Sequence, residues 1–312
     1  MRRAGILAVA GAALAAAAGL ALSGVGAASG ALTGWQAFVL GVVQGATELL
    51  PISSSGHLIL VRWLFGWEDL EASPELAQTF DVALHVGTLV AVVAYFRADL
   101  ARLIAAWVAS VRRRRVETPD ERIAWFVAIA TVPAALVGAL GETAIAEHLG
   151  NPWQIAVLLA VFGGVLWLAD RTPARRSMSD LGPGTALAVG LAQSLALMPG
   201  VSRSGITITA GRFLALDRDS AARFSFLLLV PIVFGASVWK GVTDVLLGEL
   251  PEGAFGPFVV GVLAAAGSGL LAIWGLLGYV RRHDYTIFVL YRLVAAAAIV
   301  LLIVAGARDA TL

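Results

Sequence analysis

The chain has 312 residues, of which 59% are apolar and only 14% are charged. Soluble domains run near 45–50% apolar and about 25% charged, so this composition excludes a water-soluble globule and a disordered chain. The net charge of +1 and the absence of cysteine exclude a nucleic-acid partner, disulfides, zinc–thiolate sites and thiol catalysis.

The first predicted element is a hydrophobic N-terminal segment over residues 1–30. Two arginines precede an Ala/Leu/Gly run that extends to about Leu22, and small residues near Ser23 and Ala27 suit a cleavage site. The pattern fits a cleaved signal peptide and a retained signal anchor equally well. Either one delivers the following residues to the outer side of the membrane.

Charge-free runs then predict membrane-spanning helices, because a bilayer core of about 30 Å needs about 20 apolar residues and a helix satisfies its own backbone. The first half of the chain contains the runs 82–96, 123–141 and 149–169. The second half contains 224–239, 254–280 and 285–307, the last with Arg292 as its only charge. The sequence therefore predicts an all-α polytopic membrane protein.

The loops between these runs differ in the sign of their charge. Loops 97–122, 170–180 and 281–284 are rich in arginine, whereas loops 62–81, 142–148 and 240–252 are acidic. The positive-inside rule places the arginine-rich loops in the cytoplasm. The three spans of one half then run opposite to the three spans of the other half.

Two further segments, 33–61 and 181–211, do not fit this topology as single spans. We expect both to be re-entrant, turning inside the membrane and leaving on the side of entry. Both contain helix breakers, which are Pro51 and Gly56 in the first segment and Pro199, Gly200 and Gly205 in the second.

The two segments also resemble each other at an offset of 149 residues. Residues 41–56 and 190–205 align without a gap and share Gly41/Gly190, Gln44/Gln193, Ser53/Ser202, Ser55/Ser204 and Gly56/Gly205. Chance similarity in a chain rich in small residues is the alternative. We interpret the pattern as an inverted-topology repeat over 31–169 and 181–312, each half one re-entrant segment plus three transmembrane helices.

Polar residues gather at the two breaks: Gln44, Glu48, Ser53, Ser54, Ser55 and His57 at the first, and Gln193, Ser202, Arg203, Ser204, Thr207 and Thr209 at the second. A charge in the membrane centre costs about 2.5–3.5 kcal/mol, so Glu48 and Arg203 should pair or be hydrated. A purely structural ion pair among closely packed helices is the alternative reading.

The residue types at the breaks suit phosphate chemistry. Arg203 between Ser202 and Ser204 at a helix start offers forked donors and a partial positive charge to an anion. At the first break, His57 is a candidate general base for an attacking hydroxyl or water. Glu48 is a candidate to orient His57, to act as base, or to hold a cation.

A divalent cation is the one cofactor that the pattern suggests. Gln44 and Glu48 lie four residues apart on one helix face, and one amide plus one carboxylate would hold Mg²⁺ or Ca²⁺ only with help from substrate oxygens. No organic cofactor is indicated. His85, within an apolar run, is either a core residue or a further side chain at the site.

The stretches QGATELLPISSSGH and PGVSRSGIT closely resemble the two signature motifs of the bacterial undecaprenyl-diphosphate phosphatases, the bacitracin-resistance family. The stretches FDVALHVGT and FSFLLLVP are also similar to family sequence. The resemblance covers roughly residues 30 to 307 and leaves the N-terminal 30 residues as an extension.

This resemblance implies an integral phosphatase of the bacterial inner membrane with its active site open to the outer face. Its substrate would be undecaprenyl diphosphate, which bacitracin sequesters, and its product the lipid carrier for peptidoglycan. The family's functional positions fall on Gln44 and Glu48, on Ser53, Ser54 and His57, and on Arg203 with Ser202, Ser204 and Thr207. Many members have Glu at the position of Gln44, which weakens the inferred metal site.

Several alternatives remain open at this point. Inverted repeats with broken helices are also typical of transporters, so a carrier or flippase for a lipid phosphate or anion is the main rival, and a non-catalytic scaffold is a second. In the expected mechanism Ser54, activated by His57 or Glu48, attacks phosphorus, and direct attack by water is the other route. A homodimer is compatible with the sequence.

Overall fold

The computed structural model describes residues 3–24, 32–67, 74–240 and 253–312, and this part of the chain folds into eleven α-helices. Their bounds are α1 (Arg3–Leu22), α2 (Gly34–Leu49), α3 (Ser54–Phe65), α4 (Pro74–Arg113), α5 (Pro119–His148), α6 (Pro152–Asp170), α7 (Pro183–Ser194), α8 (Arg203–Phe213), α9 (Arg218–Lys240), α10 (Phe255–Val280) and α11 (Thr286–Val304). The prediction of an all-helical protein is confirmed.

Seven of these helices are long and apolar enough to cross a membrane: α1, α4, α5, α6, α9, α10 and α11. They correspond to the N-terminal segment and to the six charge-free runs, which confirms the multi-pass assignment. The other four helices have 16, 12, 12 and 11 residues. They are shorter than the roughly 20 residues that a full crossing needs.

The arginine-rich loop predicted over 97–122 is largely helical, which corrects that prediction. Helix α4 continues to Arg113 and departs from helical dihedrals only at Phe96, where φ is −97° and ψ is 16°. Its charged extension is stabilised by ion pairs, including Arg102 with Asp120 at 2.9 Å and Arg113 with Glu121. The first arginines therefore do not mark the end of this helix, which continues to Arg113.

Of the predicted acidic loops, 142–148 lies within helix α5, which corrects that prediction, and the other two are described only in part. Residues 68–73 of the first and 241–252 of the last lie outside the described residues, as do residues 25–31 at the end of the N-terminal segment. The described ends have recognisable caps. Thr33 begins α2, with its hydroxyl accepting from the Gln36 N–H and its own N–H donating to the Gln36 side chain.

Small residues set the spacing of the central helices. A side chain on Gly41 or Gly45 of α2 would collide with backbone oxygens of α10, at 2.4 Å from Gly261 and 2.2 Å from Ala265. Helix α1 covers another face of α10, where a side chain on Gly267 would lie 2.8 Å from Leu14. Close backbone approach of this kind is how helices associate when lipid competes for every apolar surface.

At the other end of the molecule, a buried carboxylate ties four helices together. Asp170, the last residue of α6, accepts from Arg212 of α8 at 3.2 Å and from Arg218 of α9 at 2.7 Å. It also accepts from the backbone N–H of Tyr285, just before α11, at 2.9 Å. This network fixes the ends of the helices that carry the second break.

Candidate active site

Two interruptions in the helices position the polar residues of the site. The first separates α2 from α3 and the second separates α7 from α8. Ser53 and Ser202 precede α3 and α8 with the same φ of 77°, a backbone region that non-glycine residues rarely adopt. Their hydroxyls accept from the N–H groups of Gly56 at 3.4 Å and Gly205 at 3.0 Å. Both serines therefore act as N-caps.

The two interruptions contact each other directly. The N–H of Gly200 donates to the Ser53 hydroxyl at 2.9 Å, and the Ser204 hydroxyl donates to the carbonyl of Leu50 at 2.8 Å. A side chain on Gly200, where φ is +104°, would also lie 2.9 Å from Leu158 of α6. The N-termini of α3 and α8 are thereby held side by side.

The guanidinium of Arg292, the lone charge of its apolar span, holds this junction. Arg292 of α11 is fully buried, and its N–H groups donate to five backbone carbonyls. Nη1 donates to Pro51 and Val201 at 3.1 Å, and Nη2 donates to Gly200 at 2.8 Å. The remaining bonds go to Leu158 and Leu159 of α6 at 3.3 and 3.0 Å. All five donors of the guanidinium are used, so its role is to fix backbone.

Beside the junction lies a cavity of about 300 Å³. Its polar lining comes from both breaks and from two membrane helices: Glu48, Ser54, Ser55, His85, Gln193, Ser202, Arg203 and Ser237. The rest of the lining is apolar and comes from α4, α5, the end of the α7 segment and α9. A small cavity with mostly apolar walls and a few polar groups is typical of a ligand-binding site.

Glu48 is the centre of the polar contacts. Its carboxylate accepts from the Ser54 hydroxyl at 2.5 Å, from Nε of Arg203 at 3.1 Å and from the Gln44 amide at 3.3 Å. Nε2 of His85 lies 3.5 Å from the same carboxylate. The carboxylate can therefore take the Ser54 proton, while Arg203 balances its charge in the membrane.

Several buried polar atoms around the cavity have no hydrogen-bond partner among the residues that the structure describes. They are Nη2 of Arg203, Oε1 of Gln193 and Oγ of Ser237, all from residues that line it, and Oε1 of the adjacent Gln44. Buried polar groups are nearly always paired, and an unmade bond costs about 1–3 kcal/mol. Nη2 of Arg203 is therefore a buried donor without a partner in a residue that lines the cavity.

Most of the other predicted phosphate ligands bind groups of the protein itself. The hydroxyls of Ser53 and Ser204 bind backbone groups, and the Thr207 hydroxyl donates to the Arg203 carbonyl at 2.8 Å and lies 2.7 Å from the Ser225 hydroxyl. Nη1 of Arg203 donates to the Ser225 carbonyl at 2.8 Å. These groups hold Arg203 in place, and of the predicted hydroxyls it is Ser54 and Ser202 whose residues line the cavity.

The two histidines differ from the expectation based on the motif. The ring of His57 is occupied on both nitrogens, by the Ser53 carbonyl at 2.6 Å and the Tyr291 hydroxyl at 2.7 Å, and it stacks on Tyr291. His85 lines the cavity and contacts Glu48. Glu48, not His57, is therefore the group that contacts Ser54. Adjacency along the chain favoured His57, whereas His85 reaches the site only through helix packing.

The predicted cation ligands can be compared with what a metal needs. Gln44 and Glu48 supply hard oxygen atoms, one of them unpaired, but the carboxylate already binds Arg203 and Ser54. Within the described residues no group of three or more His, Asp or Glu side chains could hold a metal ion. The oxygens thus fit a divalent cation only where a ligand supplies most of its coordination.

With this geometry in hand, comparison with known proteins identifies the family. Residues 37–298 match the model of the family described as bacitracin resistance protein BacA. The chain belongs to the BacA family. The match includes both breaks, every residue of the cavity and Arg292, and it leaves α1 outside.

Curated relatives of the family cover most of the chain. An undecaprenyl-diphosphatase of Geobacter sulfurreducens is 48% identical over 84% of this chain and 96% of its own length. The corresponding proteins of Thermomicrobium roseum and Desulforudis audaxviator are 47% and 46% identical over 88% and 86% of this chain, and over 99% and 97% of their own lengths. All three names describe the same enzyme activity.

Proposed function

We propose that this chain is an undecaprenyl-diphosphatase, a membrane enzyme that converts undecaprenyl diphosphate to undecaprenyl phosphate and inorganic phosphate. It thereby recycles the lipid carrier for peptidoglycan synthesis. The observation that carries the proposal is the cavity lined by Arg203, whose Nη2 has no partner among the described residues, and by the hydrogen-bonded pair Ser54 and Glu48. Family membership and the names of the relatives support the same conclusion.

In the mechanism that we propose, Arg203 binds oxygens of the terminal phosphate and stabilises their charge in the transition state. Glu48 takes the proton of Ser54, whose oxygen forms a bond to the terminal phosphorus. The bond from that phosphorus to the bridging oxygen breaks, and undecaprenyl phosphate leaves with the electron pair. Water then cleaves the phosphoserine and releases inorganic phosphate.

Direct attack by water, with Glu48 as base and Ser54 orienting the nucleophile, is the competing route. Rapid acid quench of the enzyme with substrate labelled in the terminal phosphate distinguishes the two. The serine route predicts label on Ser54 in the wild-type protein and none in Ser54→Ala. Full turnover by Ser54→Ala would exclude the serine route.

We assign different tasks to the two histidines. His85 orients the Glu48 carboxylate from the side opposite Arg203, and it faces the cavity. His57 holds the Ser53 carbonyl, and with it the first turn of α3 that presents Ser54. His57 is thus proposed to position the catalytic serine through the backbone.

We also propose that any divalent cation, Mg²⁺ or Ca²⁺, binds through Gln44 and Glu48 together with substrate oxygens. Such an ion would supply additional positive charge to the diphosphate. Chelation should then lower activity, and added Mg²⁺ or Ca²⁺ should restore it. Replacing Gln44 with Glu should tighten the apparent affinity for the ion, because a second carboxylate becomes available.

The inverted repeat is part of the same proposal. Packing supports it: α2 lies against α10 and α7 lies against α5, which are equivalent pairs if α5 and α10 are repeat mates. Gly41 and Gly190 are the contact points. A side-chain carbon added to Gly41 would lie 2.4 Å from a backbone oxygen of α10, and one added to Gly190 would lie 2.6 Å from a backbone oxygen of α5. With the arginine-rich loops in the cytoplasm, both broken segments become re-entrant, and the cavity opens to the outer face of the inner membrane.

The decisive experiment measures phosphate release from undecaprenyl diphosphate by the purified protein in detergent, with and without chelator. Hydrolysis by the wild-type protein and its loss in Arg203→Ala support the enzyme. Movement of the lipid across vesicle membranes without hydrolysis would support the transporter instead. Competition by bacitracin, which would sequester the substrate, and a homodimer stay predictions.

A further inference from the structure

An apolar groove of about 400 Å³ runs between α4, α5 and α9, on the side of the arginine-rich end of α4. All of its lining side chains are aliphatic, aromatic or proline, and they include Leu103 and Trp107 of α4, Val127 and Ala128 of α5, and Val230 and Phe234 of α9. The proposed mechanism uses none of these residues.

The groove continues the polar cavity along the same two helices. On α9, Ser237 of the cavity lies three residues beyond Phe234 and seven beyond Val230 of the groove. On α5, Ala134 of the cavity lies seven residues beyond Val127. Residues at these spacings lie on the same side of a helix, and three and seven residues of helix span about 4.5 and about 10.5 Å. The cavity and the groove are therefore neighbours along α5 and α9.

The two parts differ sharply in chemistry. The cavity has the Arg203 guanidinium, the Glu48 carboxylate and several hydroxyls, whereas the groove has no charged or hydroxyl side chain in its lining. A ligand that fills both must have an anionic head joined to a long apolar chain. The head would bind in the cavity at the broken helices. Its apolar chain would then have to leave the cavity laterally, along apolar side chains.

From this juxtaposition we propose that the groove between α4, α5 and α9 binds the polyprenyl chain of the lipid diphosphate whose head occupies the cavity. The inference rests on the proposed function and adds the site that selects for chain length. Bulk lipid is as apolar as the groove, so the selectivity comes from shape and packing, and the hydrophobic effect contributes little. The bound chain sets the direction from which the diphosphate enters.

A chain-length series tests this directly with the full-length protein in detergent micelles. Phosphate release is measured for prenyl diphosphates with 5, 15 and 55 carbons, in the wild-type protein, in Ala128→Trp and in Ala105→Trp. Ala128 lines the groove, whereas Ala105 is an exposed residue of α4 outside it, so both variants add the same indole and only one fills the groove.

We expect kcat/KM of the wild-type protein to rise with chain length. Ala128→Trp should lower kcat/KM for the 55-carbon substrate by about tenfold and leave the 5-carbon substrate within about twofold, because only the long chain needs the filled space. Ala105→Trp should behave as the wild type. Equal losses on both substrates, or equal behaviour of the two variants, would overturn the groove assignment.

A second measurement does not depend on a folded variant. A long-chain diphosphate with a photoreactive group in its chain should label peptides of α4, α5 and α9 in the wild-type protein, and excess unlabelled 55-carbon substrate should prevent this. Labelling confined to α1 or α11 would contradict the proposal. If the wild-type protein releases no phosphate from any chain length, the proposed function fails, whereas hydrolysis without chain-length dependence defeats only the groove.

Discussion

The two helix breaks have the same backbone and carry different chemistry. Ser53 and Ser202 share a φ of 77° and cap α3 and α8 in the same way. The next residue along is Ser54 in one break and Arg203 in the other, so the candidate nucleophile and the candidate phosphate-binding cation occupy equivalent places, each first in its helix. The two breaks bring two helix N-termini together, and in the proposed mechanism the first residue of one helix attacks whereas the first residue of the other binds phosphate.

The comparison separates residues that shape the chain from residues that react. Ser53, Ser55 and Gly56 are matched by Ser202, Ser204 and Gly205, whereas Glu48 and His57 correspond to Leu197 and Ile206 at the 149-residue offset. The proposed base is therefore at the first break and the proposed phosphate-binding cation at the second. Substitutions at equivalent positions should therefore have unequal effects on activity.

The largest effect is expected at Arg203. Arg203→Ala should lower kcat by about 10³-fold or more, because a positioned guanidinium on a transferring phosphate contributes at this scale. Arg203→Lys should recover only a small part, since an ammonium does not reproduce the forked contact. Phosphate release by purified protein is the measurement, and near-normal activity of Arg203→Lys would contradict the assignment.

Glu48 should follow closely. Glu48→Gln keeps the shape but removes the base and the counter-charge of Arg203, so we expect kcat to fall by about 10²–10⁴-fold, the range typical of general-base loss. The control is Gln193→Glu, which places a carboxylate at the other break without contact to Ser54. Its activity should not exceed that of the wild type, and a wild-type rate for Glu48→Gln would require another base.

Arg292 should behave differently from Arg203 although both are buried arginines. Arg292→Lys leaves several of five carbonyls without a donor, and we expect a loss of about 3 kcal/mol or more in unfolding free energy. Thermal unfolding in detergent measures this, with Arg308→Lys at the chain end as the matched control. A stable but inactive Arg292→Lys protein would instead indicate direct contact with substrate.

The smallest effect is expected at the second cap. Ser202→Ala removes the hydroxyl that accepts from Gly205, and the typical cost of a lost N-cap is about 1 kcal/mol. Ser53→Ala should cost more, because the Ser53 hydroxyl also accepts from Gly200 across the junction. Unfolding curves of the two variants give the comparison directly, and equal losses would show that the cross-contact contributes nothing.

Local and periodic features of this protein were predictable from its sequence, and its long-range contacts were not. Hydropathy indicated the seven spans, and the breakers around Pro51 and Pro199 located both interruptions. The cost of isolated charges in a membrane predicted that Glu48 and Arg203 need partners, and they lie 3.1 Å apart. These inferences depend only on composition, spacing and the bilayer.

The roles of the histidines and of Arg292 depend on helix packing, which the sequence does not encode locally. His57 follows Ser54 closely, yet its ring turns to Tyr291, whereas His85 reaches Glu48 from another helix. Arg292 was visible as a lone charge in an apolar span, which signals a buried partner without naming it. Five carbonyl acceptors from three segments could be recognised only in three dimensions.

The contacts of Arg292 also limit how the two helix interruptions can move relative to each other. Its guanidinium binds carbonyls on both sides of the junction, so shifting one interruption alone would strand at least one buried N–H, at about 1–3 kcal/mol each. The N-termini of α3 and α8 should consequently move together as one rigid unit during turnover. A bulky lipid then has to enter by displacing the surrounding helices. The reacting groups at the two helix starts keep their positions relative to each other during turnover.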